Sequence, residues 1–524
     1  MGIYLNPGNE VFRRVTSADI YVDKTMMLKI TNDMLDTAYN YVCMSRPRRF
    51  GKTIAGNMLS SYYSKGCDSK KIFDKLKISE DPDYLKHLNK HNVIQIDLNS
   101  EYQDAEDKKE LIKNIRSDIK KELIQNFPDA GISETDSLGK CILKIYSEKH
   151  ETFIFIIDEY DVLVREQVPQ ELFDDFLSFL NGLFKSNTLR PAISLAYITG
   201  ILPVVRDKIQ SKLNNFDEYT ILDANRFAEY VGFTAEEVKY LCEEHSINFD
   251  ECRHWYDGYS QYGYEIYNPE SVVKCIKLKR FDGYWGKTSS YRVITDRLEQ
   301  NFKGLKDDII KMLSGENVDV NVSSYLNTMD SFETKDDVFT YLIHLGYLAY
   351  DMDEKTCRIP NKEIRLEWFN AIAASSDYSV TDEIIKASRD LLEKTIAGDA
   401  DAVAASLDIS HIHVSSNRSY NNEDVLQSAI YLSYIYALNK YTVIKEATSG
   451  KGFADVVFIP FKSGDPAMVI ELKHNKSSES GLRQIKEKQY YDSLMHYKGN
   501  MLLIGINYDE DTKAHSAVIE TWNK

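Results

Sequence analysis

Along the first 200 residues, short apolar runs alternate with longer segments whose apolar residues recur every three to four positions. The runs fall at 41–44, 91–98, 152–157 and 192–200, and Phe153-Ile-Phe-Ile-Ile157 is apolar without a break. Five such residues, β-branched or aromatic, predict a strand buried on both faces, as in a parallel sheet covered by helices. Helical spacing at 54–63, 105–127 and 170–185 predicts those helices, and a further helix starts near Met26. Residues 71–90 are polar and irregular. From about residue 225 the pattern changes. A charged helix over 229–244 precedes a tyrosine-rich stretch, Trp255-Tyr-Asp-Gly-Tyr259 through Gly283-Tyr-Trp285. Its aromatics either pack a small helical lid or offer bases a stacking platform. Several helices follow over 290–400, with a short hairpin near 347–359 compatible with a winged-helix-like connector. The last part reads as a helix (421–434), three β-rich runs (441–447, 452–459, 467–473), a helix (481–490) and a closing strand (500–506).

Composition sets the outer bounds. At 524 residues the chain is too long for one core, so two to four domains are expected. With 43% hydrophobic and 28% charged residues it can bury real cores. A net charge of −17 argues against a protein that coats nucleic acid over its whole surface, yet leaves room for a nuclease with acidic metal ligands. Seven scattered cysteines, odd in number and never in Cys-x-x-Cys spacing, disfavour a disulfide framework and a zinc ribbon. Neither a secretory leader nor a run of roughly 20 apolar residues is visible, which points to a cytoplasmic chain without membrane contact.

Candidate chemistry sharpens the first half. Ser45-Arg-Pro-Arg-Arg-Phe-Gly-Lys-Thr53 lies between a strand and a helix, the arrangement that cradles a nucleoside triphosphate. Gly51 closes the turn, Lys52 would reach the β/γ oxygens, and Thr53 would ligate magnesium. Arg46 and Pro47 stand where the usual pattern opens on glycine. At the carboxyl end of the buried strand, Asp158 would hold Mg²⁺ and Glu159 would polarise the attacking water. Thr199 ends the next strand, where a polar residue can sense the γ-phosphate. Arg206 could contact phosphate, with an ordinary surface arginine as the other reading.

The C-terminal part carries a second acidic constellation. Residues two apart on a strand share a face, so Glu471 and Lys473 point together while Leu472 enters the core. If the adjacent strand brings Asp455 alongside, two carboxylates can hold Mg²⁺, with Lys473 positioning or deprotonating a water. Glu446 and the helix residue Glu423 could complete the cluster; His474, His411 and His413 read as bystanders.

Taken together, Tyr21-Val-Asp-Lys-Thr25, the Ser45–Thr53 loop, Ile156-Ile-Asp-Glu-Tyr-Asp161, Ile198-Thr-Gly200 and Ser211-Lys-Leu-Asn-Asn215 resemble the AAA-ATPase-like family. These are bacterial proteins that usually carry a PD-(D/E)XK nuclease-like domain at the C-terminus, and the set around Asp455 and Glu471-Leu-Lys473 resembles that domain. The resemblance implies an α/β multidomain fold. A P-loop parallel-sheet ATPase domain (1–225) is followed by a mostly helical lid or connector (226–400) and a restriction-endonuclease-like domain (401–524). It makes Arg46 a family trait, with Arg48 and Arg49 adding charge-assisted hydrogen bonds to phosphate. It assigns supporting roles to Gln484 and Tyr490; Gly481-Leu-Arg departs from the small and apolar residues more usual there. The implied function is ATP binding and hydrolysis coupled to a magnesium-dependent endonuclease, with DNA ahead of RNA and a homo-oligomer through the ATPase domain. The alternative is a non-cleaving ATP-dependent switch or scaffold whose degenerate nuclease-like domain binds nucleic acid or a partner.

Overall fold

The computed structural model describes residues 2–203, 215–286, 292–300, 302–313, 315–325, 332–374, 379–414, 423–449, 452–461, 464–491, 497 and 499–522. It forms two compact units, Met1–Tyr284 with Asp319–Asn361, and Trp285–Val318 with Lys362–Lys524.

The first unit is built on a five-stranded parallel sheet. Its strands are β1 (Tyr41–Ser45), β2 (Asn92–Asp97), β3 (Phe153–Asp158), β4 (Ile193–Gly200) and β5 (Asp217–Tyr219), in the order β2-β3-β4-β1-β5. Every residue of β1, β3 and β4 is buried, as the unbroken apolar run predicts for β3, and the polar Ser45, Ser194 and Thr199 are buried with them. On β3, Phe153, Phe155 and Ile157 join a core with Ile115 and Ile119 of α2 (Leu111–Asn126), Ile142 of α3 (Leu138–Lys149) and Phe179 of α4 (Gln170–Phe184). The alternate residue Ile156 faces Gly56 of α1 (Lys52–Tyr63) on the other side. Two helix starts lie later than periodicity suggests, and capping chemistry explains both. Asp107 accepts from Lys109 N and closes a short 3₁₀ turn before α2. Thr234 and Glu237 form a reciprocal capping box that starts the next helix at Ala235. Residues 71–90 contain short helices, Lys70–Phe73, Lys77–Glu80 and Tyr84–His87.

The tyrosine-rich stretch belongs to this unit. Trp255, Tyr256, Tyr259, Tyr267 and Tyr284 are buried and serve as packing residues, while Tyr262 and Tyr264 are exposed. The hairpin forms from Ala349–Asp351 and Thr356–Arg358.

In the second unit a mixed sheet takes the order β6-β7-β8-β9-β10. The strands are β6 (Tyr441–Ser449), β7 (Gly452–Pro460), β8 (Ala467–His474), β9 (Met501–Asp509) and β10 (Ala514–Trp522); only the β8/β9 pair is parallel. Met468, Ile470 and Leu472 face a core shared with the helices Ser379–Ala397, Ala400–Val414 and Glu423–Ser433. Ala467 and Val469 face Ile485 of the helix Ser478–Lys488. Strand β10 corrects the reading that 500–506 closes the set. It is an edge strand, half-exposed along most of its length, and so lacks clean apolar alternation. The described cysteines are free thiols. Among the described residues no helix is long and apolar enough to cross a membrane.

Candidate functional sites: a phosphate loop and a carboxylate–lysine strand

Parallel register gathers the first set at the carboxyl edge of the sheet. Met44 is level with Thr199, Ser45 with Gly200, and Asp97 with Asp158. After β1 the chain turns through Arg49 (φ 69°) and Gly51 (φ 92°) into the helix Lys52–Tyr63. Left-handed backbone at Gly51 carries no Cβ penalty, and it delivers the helix N-terminus to the loop. The Lys52 ammonium folds across the loop onto the carbonyls of Arg46 and Pro47, 2.9 Å from each. Burial lowers its pKa to about 8, against the pull of Asp161, Asp158 and Glu159. A buried ammonium beside a helix N-terminus is a donor set that fits a polyphosphate.

The three arginines diverge. Arg48 is exposed, and Arg49 donates to the Tyr284 carbonyl at 3.0 Å. Arg46 is buried and ties β1 to β5 through the carbonyls of Ser45 and Tyr219, at 2.9 and 2.8 Å. Desolvation lowers its pKa to about 10, and its Nε and Nη2 have no hydrogen-bond partner. Thr53 is exposed on the first helical turn.

Asp158 is buried and accepts from Thr199 Oγ1 and, at 3.0 Å, from the Glu159 amide. Glu159 stands at φ 50° and accepts from Arg165 Nη2 at 2.7 Å. Asp161 takes Arg165 Nε at 3.2 Å and the amides of Ile201 and Leu202 at 3.0 and 2.9 Å. Neither Arg165 nor Asp161 received a role from the motifs, although their i, i+4 spacing after the Asp-Glu pair was the available signal. Arg206 and residues 211–214 lie outside the described residues. Asp97 caps the helix Leu98–Asp104 by accepting from Ser100 N.

The second set gathers on the β8 face that packs against the helix Ser478–Lys488. The β7/β8 ladder ends at Val456↔Ile470, so Asp455 stands one step on, across from Glu471. There Asp455 Oδ2 takes the Leu472 amide at 2.6 Å, and Gln427 donates to its carbonyl at 2.9 Å. Glu471 Oε1 accepts from Lys473 Nζ at 2.8 Å and from Gln484 Nε2, which also reaches Tyr490 Oη at 3.2 Å. Glu471 Oε2 is buried and has no hydrogen-bond partner among the described residues. Burial first, then the neighbouring Asp455 charge, pushes the Glu471 pKa up to about 7. Two adjacent carboxylates with an unused buried oxygen fit a divalent cation.

The backbone of Glu446, between the pairs Lys445↔Val456 and Ala447↔Ala454, is level with Asp455; its side chain and that of Glu423 lie outside the described ones. Among the described residues no group of three or more metal-ligating side chains assembles. The motifs also gave no role to Gly505, paired with Glu471, or to Asn507, paired with Lys473. A Cβ on Gly505 would stand 2.1 Å from the Ser478 carbonyl, and one on Gly481 3.1 Å from the Glu471 carbonyl. These two glycines let the helix close in until Gln484 reaches Glu471. Asn507 accepts from Lys476 N at 2.9 Å.

Comparison with known proteins places families on both sets. Residues 8–210 match the AAA-ATPase-like family described as a predicted AAA-ATPase, and residues 421–517 match the PD-(D/E)XK nuclease superfamily. The chain joins an AAA-ATPase-like segment to a PD-(D/E)XK nuclease-like one. An uncharacterized protein in the vnfD 5′ region of Azotobacter chroococcum mcd 1 is 21% identical over 537 residues, 97% of this chain and 96% of the relative. Among solved structures, the replication initiator DnaA bound to AMPPCP and single-stranded DNA is 12% identical. It covers 73% of this chain and 92% of its own, with a TM-score of 0.25. The Aeropyrum pernix ORC2 protein is 11% identical, covering 69% of this chain and 98% of its own, with a TM-score of 0.27. At these TM-scores the structural likeness carries no argument about function.

Proposed function

We propose that the chain binds and hydrolyses ATP at its phosphate loop and uses that cycle to control a magnesium-dependent nuclease at Asp455, Glu471 and Lys473. In this reading 1–225 is the ATPase domain, 226–400 the lid or connector and 401–524 the nuclease domain. The protein is cytoplasmic, takes DNA ahead of RNA, and self-associates through the ATPase domain.

At the loop, Lys52 exchanges the carbonyls of Arg46 and Pro47 for phosphate oxygens, while Arg48 and Arg49 add charge-assisted contacts. Thr53 and Asp158 hold the cation, and Thr199 keeps Asp158 oriented. Water oxygen bonds the γ-phosphorus as the β–γ bridge breaks, and Glu159 receives the water proton. At the second site Asp455 and Glu471 hold a cation, with Glu446 in register to join them. Lys473 would orient the water that adds to the phosphodiester; the water gives its proton to solvent as the bond from phosphorus to the sugar oxygen breaks, and the departing oxygen is protonated from solvent. Magnesium, when bound, neutralises phosphate oxygens and acidifies water at both places.

The observation that carries the reading is the unused, buried Oε2 of Glu471 beside Asp455. The test is cleavage of plasmid DNA and of RNA with Mg²⁺, with and without ATP, by wild type and Lys473→Ala. Cleavage lost only in the variant is the expected result; equal cleavage by both proteins sinks the nuclease assignment. The ion pair between Lys473 and Glu471 favours a second reading, in which the lysine serves only to neutralise a carboxylate in a non-cleaving scaffold. That reading requires nucleotide-dependent partner binding without cleavage.

A further inference from the structure

Glu159, the carboxylate assigned to the attacking water, does not face solvent freely. One of its oxygens takes a hydrogen bond from Arg165 Nη2 at 2.7 Å, and its backbone sits at φ 50°, a left-handed conformation costly for a residue with a Cβ. The Glu159 amide is pinned to Asp158 Oδ1 at 3.0 Å, so the main chain is fixed and only the side chain can move. Arg165 has two different holds. Its Nε meets Asp161, which is 1% exposed and is itself clamped by the Ile201 and Leu202 amides. Its Nη2 meets Glu159, whose side chain is 33% exposed. Asp161 also has no slack toward β4: a Cβ on Gly200 would come within 2.7 Å of its Oδ1. Arg165 therefore has one permanent partner and one exchangeable partner.

We propose that Arg165 is a positioning residue that holds Glu159 back from water, and that turnover requires Glu159 to leave it. The inference rests on the ATPase reading above. The carboxylate oxygen that accepts from Arg165 Nη2 is taken up by the guanidinium and cannot at the same time accept from an attacking water. A charge-assisted hydrogen bond carries a net preference of about tenfold or more in an equilibrium. Resting turnover is repressed by that factor. Because Asp161 is anchored to Ile201 and Leu202, just past Gly200, the latch hangs on the same strand end whose Thr199 contacts Asp158.

The test is steady-state ATP hydrolysis and equilibrium ATP binding by the full chain carrying Arg165→Gln. The expected result is ATP affinity within about twofold of wild type and kcat raised about tenfold, with KM little changed. Adding Glu159→Gln to it should return turnover to that of Glu159→Gln alone. Arg165→Lys, which keeps the charge but lacks the planar fork whose Nε and Nη2 reach Asp161 and Glu159, should fall between wild type and Arg165→Gln; it serves as the test if the first variant melts early. Intact ATP binding with unchanged or reduced kcat overturns the role of Arg165 and leaves the ATPase reading standing. Failure of wild type to bind ATP removes that reading, and this inference with it.

Discussion

At the phosphate loop Lys52 rests on two carbonyls, Asp158 on Thr199 and an amide, and Glu159 on Arg165. At the strand site Asp455 is engaged, but Glu471 keeps a buried oxygen without a partner and a pKa raised to about 7. The first site is settled on its own protein contacts, some of which nucleotide phosphates would displace. The second holds an unsettled charge that burial makes costly and that a cation would relieve. The same two residue classes thus give a site that waits and a site that is frustrated, and ligand binding should affect stability differently at each.

The largest expected effect tests the frustrated half. Saturating Ca²⁺ or Mg²⁺, at a hundredfold excess over its dissociation constant, should stabilise the wild-type second unit by about 2.7 kcal/mol. Glu471→Gln should abolish that increment, and an equal metal-induced gain in the variant would show that Glu471 does not hold the cation. Next, at the settled site, Lys52→Ala should weaken ATP binding by about tenfold to a hundredfold, the worth of one or two charge-assisted hydrogen bonds. Its effect on the nucleotide-free melting temperature should be small, because the desolvation that lowers the Lys52 pKa offsets its two carbonyl contacts. Isothermal titration with ATP and a thermal melt measure the two quantities in one preparation.

Gly505→Ala sharpens the comparison by geometry instead of charge. The added methyl would stand 2.1 Å from the Ser478 carbonyl and 2.8 Å from the Leu482 amide, both backbone, so the helix Ser478–Lys488 must move. Such overpacking costs about 1–3 kcal/mol. It should carry Gln484 away from Glu471, which a fall in metal affinity would register. Metal affinity unchanged at a lowered melting temperature would make Gln484 dispensable to the site.

Legibility followed the strength of the local signal. Four strands of the first unit were readable because their runs are short and mostly apolar, that of Phe153–Ile157 without a break, and parallel register then had to place Thr199 beside Asp158. Glu471, Leu472 and Lys473 were readable because period-two alternation sorts them onto opposite faces. Other features were written in no periodic pattern. Strand β10 is a half-exposed edge. Arg46 has the composition of a phosphate ligand, yet in this conformation it is a buried strut between β1 and β5. Arg165, Gly505 and Asn507 owe their places to neighbours far off in sequence or to the turn of one short helix. The tyrosine-rich stretch showed its composition and left its packing partner open.

That partner supplies the smallest expected effect. Phe50, the loop residue before Gly51, is 1% exposed and meets Tyr259 edge-to-face, with ring centroids 5.3 Å apart and an 85° interplanar angle. Tyr259 in turn donates its hydroxyl to the Gly346 carbonyl, and Gly232 leaves room for the Phe50 ring, since a Cβ there would stand 3.2 Å from it. Phe50→Leu keeps an apolar side chain but removes the aromatic pair, at a cost of about 0.5–1.5 kcal/mol. The melting temperature should fall accordingly. ATP affinity should fall by less than in Lys52→Ala, because Phe50 shapes the loop and contributes no donor to phosphate. A loss of ATP binding as large as that of Lys52→Ala would mean that the settled site is held by aromatic packing more than by its polar contacts, and the contrast between the two sites would have to be redrawn around Tyr259.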